Sequence, residues 1–239
     1  MQYQKIVILT GAGISAESGI RTFRAADGLW EDHRIEDVAT PEAFAQNPQQ
    51  VHRFYNQRRA QLMSPDIQPN AAHQALARLE QSIAAQPSAE LLLVTQNIDN
   101  LHERAGSQNL IHMHGELLSL RCTASAQVFS HHGVVTIDDA CDCCDQRGTL
   151  RPNIVWFGER PMQMEAIYEA LESCDLFISI GTSGHVYPAA GLVEIANSVG
   201  AETVEINLEP STIQSAFDRH IYGPASREVP RFVESLINS

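Results

Sequence analysis

Six short apolar, β-branched runs separated by amphipathic segments constrain this chain more than any other feature. Lys5–Leu9, Leu91–Thr95, Leu110–Met113, Ile154–Phe157, Leu176–Gly181 and Thr203–Asn207 read as strands. Gln49–Met63, Ala71–Ala84, Met162–Ser173, Ala189–Ser198 and Arg231–Ile237 carry helical spacing. Strands that alternate with helices imply a parallel sheet covered on both faces. Two stretches break the alternation: 30–67 is helical without a strand, and 119–151 is polar, cysteine-bearing and short of helical periodicity. The expected class is α/β, with a parallel sheet, helices on both faces and a smaller second lobe. Residues 1–239 would then form one domain, whose larger lobe takes 1–29, 68–118 and 152–239 and whose smaller lobe takes 30–67 and 119–151.

A chain of 239 residues can bury a core without disulfide staples. With 44% hydrophobic and 19% charged residues it falls outside the disordered class. Its longest apolar runs, such as Ile6–Leu9 and Leu91–Val94, are strand-sized and far below the ~20 residues a bilayer demands. Met1–Lys5 shows neither a secretory nor a transit pattern, so a soluble, cytoplasmic protein is expected. The net charge of −13 argues against nucleic acid as the main partner, because phosphate backbones need a basic footprint. Cys122, Cys141, Cys143 and Cys144 cluster, which suggests a metal site before disulfides. Cys174 lies alone on an apolar helical stretch and reads as core.

The first strand runs into Gly11-Ala12-Gly13-Ile14-Ser15, a Gly-x-Gly turn that opens a short helix. Glycines there let backbone N–H groups approach a pyrophosphate, as in Rossmann-like sheets. The same glycines also suit a tight turn that binds nothing, and the fingerprint alone leaves both readings open. A hydride-transfer dehydrogenase would need a second strand ending in an acid about 20 residues on. Gly19–Trp30 has no strand pattern, so that class is disfavoured.

Longer motifs narrow the choice. Gly11-Ala12-Gly13-Ile14-Ser15 with Gly19-Ile20-Arg21-Thr22-Phe23-Arg24 resembles the first signature of the sirtuins, the NAD-dependent protein-lysine deacylases. Thr95-Gln96-Asn97-Ile98-Asp99-Asn100-Leu101-His102, His112-Met113-His114-Gly115, Trp156-Phe157-Gly158-Glu159, Gly181-Thr182-Ser183 and Asn207-Leu208-Glu209 follow in the family's order. The likeness spans Ile6 to Phe232 and is similar above all to the CobB-type bacterial sirtuins of the desuccinylase class.

The resemblance implies a sirtuin fold, NAD as co-substrate and transfer of a lysine acyl group to ADP-ribose. Ala12, Gly13 and Ser15 would lie near the phosphates, in one cofactor loop with Gly11, Glu17, Thr22 and Trp30, and Phe23 and Arg24 would cover the reacting ribose. Gln96, Asn97, Ile98 and Asp99 would hold the nicotinamide end. Gly181, Thr182, Ser183, Asn207, Leu208, Glu209 and Ala225 would hold the adenosine half. His114 would be the general base on a ribose hydroxyl, assisted by Asn97 and Asp99. Periodicity alone does not separate His114 from His112, which share a strand face; the choice rests on the family's His-Gly step. An acylated-lysine peptide would add as a strand between Phe157-Gly158-Glu159 and Gly184-His185-Val186-Tyr187, with Val155 and Val186 beside it. Many relatives carry leucine where Gly184 stands, which predicts a looser edge. The enzyme is expected to be a monomer. A sirtuin-fold ADP-ribosyltransferase or NAD hydrolase, or an NAD-sensing module, would use the same cofactor residues.

Two local features add chemistry. Val51, Tyr55, Arg58 and Leu62 share one helical face, from which Arg53 and Arg59 point away. An arginine in an apolar stripe is costly unless an anion meets it. Within the sirtuin resemblance, Tyr55 and Arg58 mark enzymes that remove succinyl and malonyl groups: a guanidinium grips the distal carboxylate and a phenol adds a directional bond. Sirtuins also carry Cys-x-x-Cys twice. Cys122 and the Cys141/Cys144 pair keep that spacing, but Ser125 stands where a ligand is expected. A structural zinc would then need Cys143, His131 or His132 as its fourth ligand.

Overall fold

The computed structural model describes residues 2–21, 29–30, 33–86 and 88–238. Among these, strand β1 (Lys5–Thr10) enters the single-turn helix α1 (Ala12–Ser15), and β2 (Leu29–Trp30) and β3 (His33–Arg34) precede α2 (Ile35–Val38), α3 (Pro41–Gln46) and α4 (Pro48–Leu62). Then come α5 (Ala71–Ala84), β4 (Glu90–Thr95), α6 (Leu101–Ala105), β5 (Leu110–His112), β6 (Gly115–Cys122), β7 (Val128–Ser130) and β8 (Leu150–Ile154). The rest is α7 (Met164–Leu171), β9 (Leu176–Ile180), α8 (Leu192–Ser198), β10 (Glu202–Asn207), β11 (Arg219–Tyr222) and α9 (Ala225–Ile237). No helix among the described residues is long and apolar enough to cross a membrane.

Six strands form one parallel sheet in the order β11-β10-β9-β1-β4-β5. Alternation along β1 sends Ile6 and Ile8 to one face, against Leu76 and Leu79 of α5 and Val229 and Phe232 of α9. Val7 and Leu9 go to the other face, against Ile167 and Leu171 of α7 and Leu192 of α8. Burial on both faces is why these strands read as continuous apolar runs.

One expected strand moves. Ile154–Phe157 adds nothing to the parallel sheet: β8 ends at Ile154 and pairs antiparallel with β6 in a separate β7-β6-β8 sheet. Beyond it the chain turns, Phe157 N–H donating to Ala39 O (3.0 Å) and Glu159 N–H to Trp156 O (2.9 Å). The run is apolar because Trp156 is buried against the helical lobe rather than because it is a strand. The sixth parallel strand is β11, a four-residue edge strand with no buried residue and therefore no apolar signature. Helix α9 starts six residues earlier than Arg231, with Pro230 inside it. The stripe Val229, Phe232, Val233 and Leu236 packs against the sheet and outweighs one lost backbone bond. The 30–67 stretch holds the two-residue pair β2–β3, too short for any period.

Helix α4 and its neighbours enclose a second core of Val38, Val51, Phe54, Tyr55, Leu62, Leu117, Ile154 and Trp156. Strand β6 crosses residue 119, so the small sheet draws on both stretches that the sequence divides there. On α4, Val51, Tyr55 and Leu62 are buried, Arg58 is half-buried and Arg53 is exposed. Arg59 faces elsewhere but is not in solvent: it is 1% exposed. Its Nε donates to Leu117 O (3.2 Å), and its Nη1 to Asn56 Oδ1 (2.8 Å) and Gly133 O (3.2 Å). The buried cation is therefore met by carbonyl oxygens, and it ties α4 to β6 and to the loop between Cys122 and Cys141.

Candidate active site

The chain leaves β1 for β4 on one side and reaches β9 on the other, which makes the carboxyl end of β1 a topological switch point. The turns after β1 and β9 meet there. Gly13 N–H donates to Gly181 O (2.9 Å), and Gly181 N–H to Ile206 O (3.0 Å). A Cβ on Gly13 would lie 2.7 Å from Gly181 Cα. Gly181 has φ +65, and a Cβ there would lie 2.5 Å from Ile14 N. Only bare backbone fits.

Above these turns opens a cleft of about 910 Å³. Gly11, Ala12, Gly13, Ser15, Glu17 and Trp30 line it from the first loop, and Gln96, Asn97, Ile98 and Asp99 from the loop after β4. Gly181, Thr182 and Ser183, then Asn207, Leu208, Glu209 and Ala225, line the opposite side, and His114 stands between. Thr22, Phe23 and Arg24 lie outside the described residues. Two of these side chains are tied into the scaffold. Glu17 accepts from the backbone N–H and hydroxyl of Ser226 (2.9 and 2.7 Å), pinning the start of α9. Asn207 Nδ2 donates to Thr182 O (2.7 Å).

Buried polar groups sit beneath the loop that follows β4. Asn97 Nδ2 donates to Gly11 O (3.1 Å) and Ser15 Oγ (3.2 Å), and Ser15 Oγ donates to Asp99 Oδ2 (3.0 Å). Burial raises the Asp99 carboxyl, and bonds from Leu101 N–H and Ser15 moderate the rise. Two further histidines extend the set. His73 Nε2 lies 3.4 Å from Ser15 Oγ, His102 Nε2 lies 3.0 Å from Thr10 Oγ1, and their rings are 4.9 Å apart. Burial holds both neutral, His73 at about 4 and His102 well below its ordinary value. His73 sits in the first turn of α5, where its Nδ1 accepts from Asn70 N–H (3.3 Å), and no sequence motif marks it.

The structure separates the two histidines that periodicity leaves equivalent. His112 Nδ1 lies 3.1 Å from Asn97 O and its Nε2 lies 2.7 Å from Glu103 Oε1. Both acceptors lack protons, so both ring nitrogens donate and the imidazolium is favoured. Burial opposes the charge, but the Glu103 bond and its carboxylate outweigh burial and raise His112. His114 has one such tether: Nδ1 donates to Gln96 O (3.1 Å). That bond leaves Nε2 as the unprotonated nitrogen. Burial pulls His114 below its ordinary value of 6.5, so it is neutral at pH 7. It lines the cleft; His112 does not.

Tyr55, Val155, Phe157, Gly158, Glu159 and Val186 line the far end of the same cleft. Tyr55 accepts from Trp156 Nε1 (2.9 Å), a partner no sequence motif had linked to it. Arg58 instead lines an adjoining cavity of about 50 Å³ whose walls Ile20, Arg21, Trp30, Ile98 and Asp99 also bound the cleft. Its guanidinium lies over Phe54, 4.8 Å from the ring centroid. Glu159 is held bidentately by Arg151 (2.8 and 2.9 Å), which lowers its carboxyl against the effect of burial. Phe157 and Tyr187 are exposed at the rim. Gly184, expected to loosen its edge, is instead tightly placed. Its φ is +76 and a Cβ would lie 2.8 Å from Ile213 Cγ1, so this backbone has no room for leucine.

Away from the cleft, Cys122, Cys141, Cys143 and Cys144 bring their sulfurs within 4.8 Å of one another. Four thiolates at that spacing fit a tetrahedral zinc site. Cys143 takes the place that Ser125 leaves, with its Sγ 3.1 Å from Ser125 Oγ. His131 and His132 are not part of the group. Cys174 is buried with the core beside α8.

A profile of the Sir2 family matches residues 11–188. The chain is 61% identical over 237 residues to the NAD-dependent protein deacylases of Salmonella typhimurium and Escherichia coli K12, covering 99% of this chain and 85% and 84% of theirs. Among solved structures, a Sir2 homologue in complex with NAD superposes with a TM-score of 0.86 at 40% identity, covering 99% of this chain and 91% of that one. A Sir2–p53 peptide–NAD complex superposes with a TM-score of 0.80 at 29% identity, covering 100% and 95%. The relatives and the solved structures match across nearly the whole chain and agree with the switch-point cleft and the loops that line it. The chain belongs to the Sir2 family, the sirtuins.

Proposed function

We propose that this protein is an NAD-dependent protein-lysine deacylase that removes succinyl, malonyl and acetyl groups, giving nicotinamide, O-acyl-ADP-ribose and free lysine. The observation that carries the reading is the neutral His114, held by one carbonyl at the junction of the glycine-floored and tyrosine-lined halves of a single cleft. The enterobacterial relatives bearing the name NAD-dependent protein deacylase support it.

The residues present fit NAD. Gly13 and Gly181 pack backbone on backbone with no room for a Cβ between them, which leaves a floor of bare main chain, and Ser15, Asn97 and Asp99 place polar atoms just below. Ala12, Gly13 and Ser15 would hold the phosphates; Gly181–Ser183, Asn207–Glu209 and Ala225 would hold the adenosine half. Gln96, Asn97, Ile98 and Asp99 would enclose the nicotinamide ribose. When bound, NAD supplies an anomeric carbon that exchanges nicotinamide for the acyl oxygen. Asn97 and Asp99 fix the loop whose Gln96 carbonyl orients His114. The open Nε2 of His114 would accept the proton of a ribose hydroxyl as that oxygen attacks the acyl carbon. The lysine peptide would lie as an added strand between 157–159 and 184–187, with exposed Phe157 and Tyr187 flanking it. Backbone pairing would let the site accept many protein sequences. Tyr55 and Arg58 would take the distal carboxylate of an acidic acyl group.

Replacing His114 with Ala should lower turnover by about 10²–10⁴-fold while NAD binding persists. Near-parental turnover in that variant contradicts the base assignment. Because burial lowers His114, the acid limb of kcat/KM should have its midpoint below 6.5, with activity lost only as pH falls through it. A midpoint above 7 in the pH–rate profile would contradict the neutral imidazole.

Arg58→Met keeps the aliphatic stem and deletes the charge. The ratio of desuccinylase to deacetylase kcat/KM should fall about a hundredfold, as when one partner of a buried charge pair is removed. Equal loss of both activities would make Arg58 a structural residue.

Metal analysis of the purified protein should find about one zinc per chain. Cys143→Ser should lower both zinc content and melting temperature, whereas Ser125→Ala should change neither. Full zinc content in Cys143→Ser would exclude it as a ligand.

A further inference from the structure

Trp156 lines the same cleft as Tyr55, packs beside its ring and meets its hydroxyl through the indole N–H, and the proposal made here rests on the reading of Tyr55 and Arg58 given above. A phenol has one proton to donate and lone pairs to accept with, whereas an indole N–H can only donate. Trp156 Nε1 donates to the Tyr55 hydroxyl at 2.9 Å, which turns the phenol's own proton away from the indole. That bond is the only one the Tyr55 hydroxyl makes among the described residues, although the side chain is fully buried and lines the cleft. Burial also raises the phenol above its ordinary range, so it keeps that proton.

The indole is unusually well fixed. The Arg151 guanidinium lies over its ring, 3.5 Å from the centroid, and Phe44 packs at 5.3 Å. Arg151 is itself locked to both oxygens of Glu159 and to Ile154 O (2.9 Å). The same Glu159 carboxylate accepts the Trp156 backbone N–H (2.8 Å). A carboxylate ligand accepts but cannot donate, so it needs a phenol whose proton points at it. An acetyl group presents no distal carboxylate and makes no such demand.

We propose that Trp156 is a positioning residue for acyl specificity: its indole N–H occupies the acceptor side of the Tyr55 hydroxyl and so aims the phenol proton at the carboxylate of an acidic acyl group. The Arg151–Glu159 pair holds the indole for that purpose, which gives the Trp-Phe-Gly-Glu segment a role in substrate choice as well as in peptide docking.

The test compares succinylated and acetylated forms of one peptide across the parent enzyme, Trp156→Phe, Tyr55→Phe and the double variant. In Trp156→Phe the desuccinylase-to-deacetylase ratio of kcat/KM should fall about five- to tenfold, the weight of one hydrogen bond. The double variant should show the ratio of Tyr55→Phe alone, because the indole acts only through the phenol. A parental ratio in Trp156→Phe, or losses that multiply in the double variant, would overturn the proposal. A parental ratio in Tyr55→Phe would instead overturn the acyl-pair reading on which it rests. Should Trp156→Phe fold poorly, benzothienylalanine at 156 keeps the bicyclic shape and removes only the donor. The same fall is expected there, and a parental ratio would contradict the proposal.

Discussion

The whole site hangs on a contact between two backbones. Gly13 and Gly181 belong to the turns that follow β1 and β9, and the first donates to the carbonyl of the second at 2.9 Å. No side chain fits between them, since a Cβ on either residue would lie under 3 Å from main-chain atoms. The contact brings two strand ends at the switch point into one floor and leaves it bare, which is what a charged, bulky co-substrate requires. Everything functional is then arranged around that floor. The β4 loop brings Asn97 and Asp99 to one side, and β10 brings Asn207 to the other. The antiparallel sheet sets Trp156 and Glu159 beyond them.

Electrostatics divides the labour within this frame. Two histidines two residues apart shift in opposite directions because one faces a carboxylate and the other a lone carbonyl. The Glu103 carboxylate shifts His112 toward its protonated form, beside the Asn97 carbonyl, while burial shifts His114 toward the neutral form, which lines the cleft. Deeper in, His73 and His102 are kept neutral by burial and bond Ser15 and Thr10 in a buried polar seam. The same logic separates the two adjacent arginines of α4. Arg59 is spent on carbonyls that bind the helix to β6 and to the loop between Cys122 and Cys141, whereas Arg58 faces a cavity beside the cleft.

Much of this was legible in the sequence, and the misses have physical causes. The strands buried on both faces announced themselves as apolar runs, and five of the six parallel strands were readable that way. Strand β11 was not, because an edge strand with no buried residue has no apolar signature. Trp156 was apolar for tertiary reasons and so imitated a strand. Pro230 hid the first turn of α9, where packing prevailed over local preference. In the site, the glycines, Asn97, Asp99 and the His-Gly step sit in contiguous motifs, and it is the sirtuin resemblance rather than spacing that singles them out. The His73–Ser15 and Trp156–Tyr55 contacts join residues 58 and 101 positions apart, and no spacing rule reaches that far. Helical periodicity set Arg59 apart from Arg58 correctly, but it could not tell that the face Arg59 occupies is also buried.

Acyl transfer to ADP-ribose separates this reading from simple NAD cleavage and from ADP-ribosylation of protein. Mass analysis of a reaction containing the enzyme, NAD and a succinyl-lysine peptide decides among them. Free-lysine peptide, nicotinamide and O-succinyl-ADP-ribose should appear in equal amounts. A peptide that stays succinylated while ADP-ribose accumulates, free or attached to protein, would contradict it.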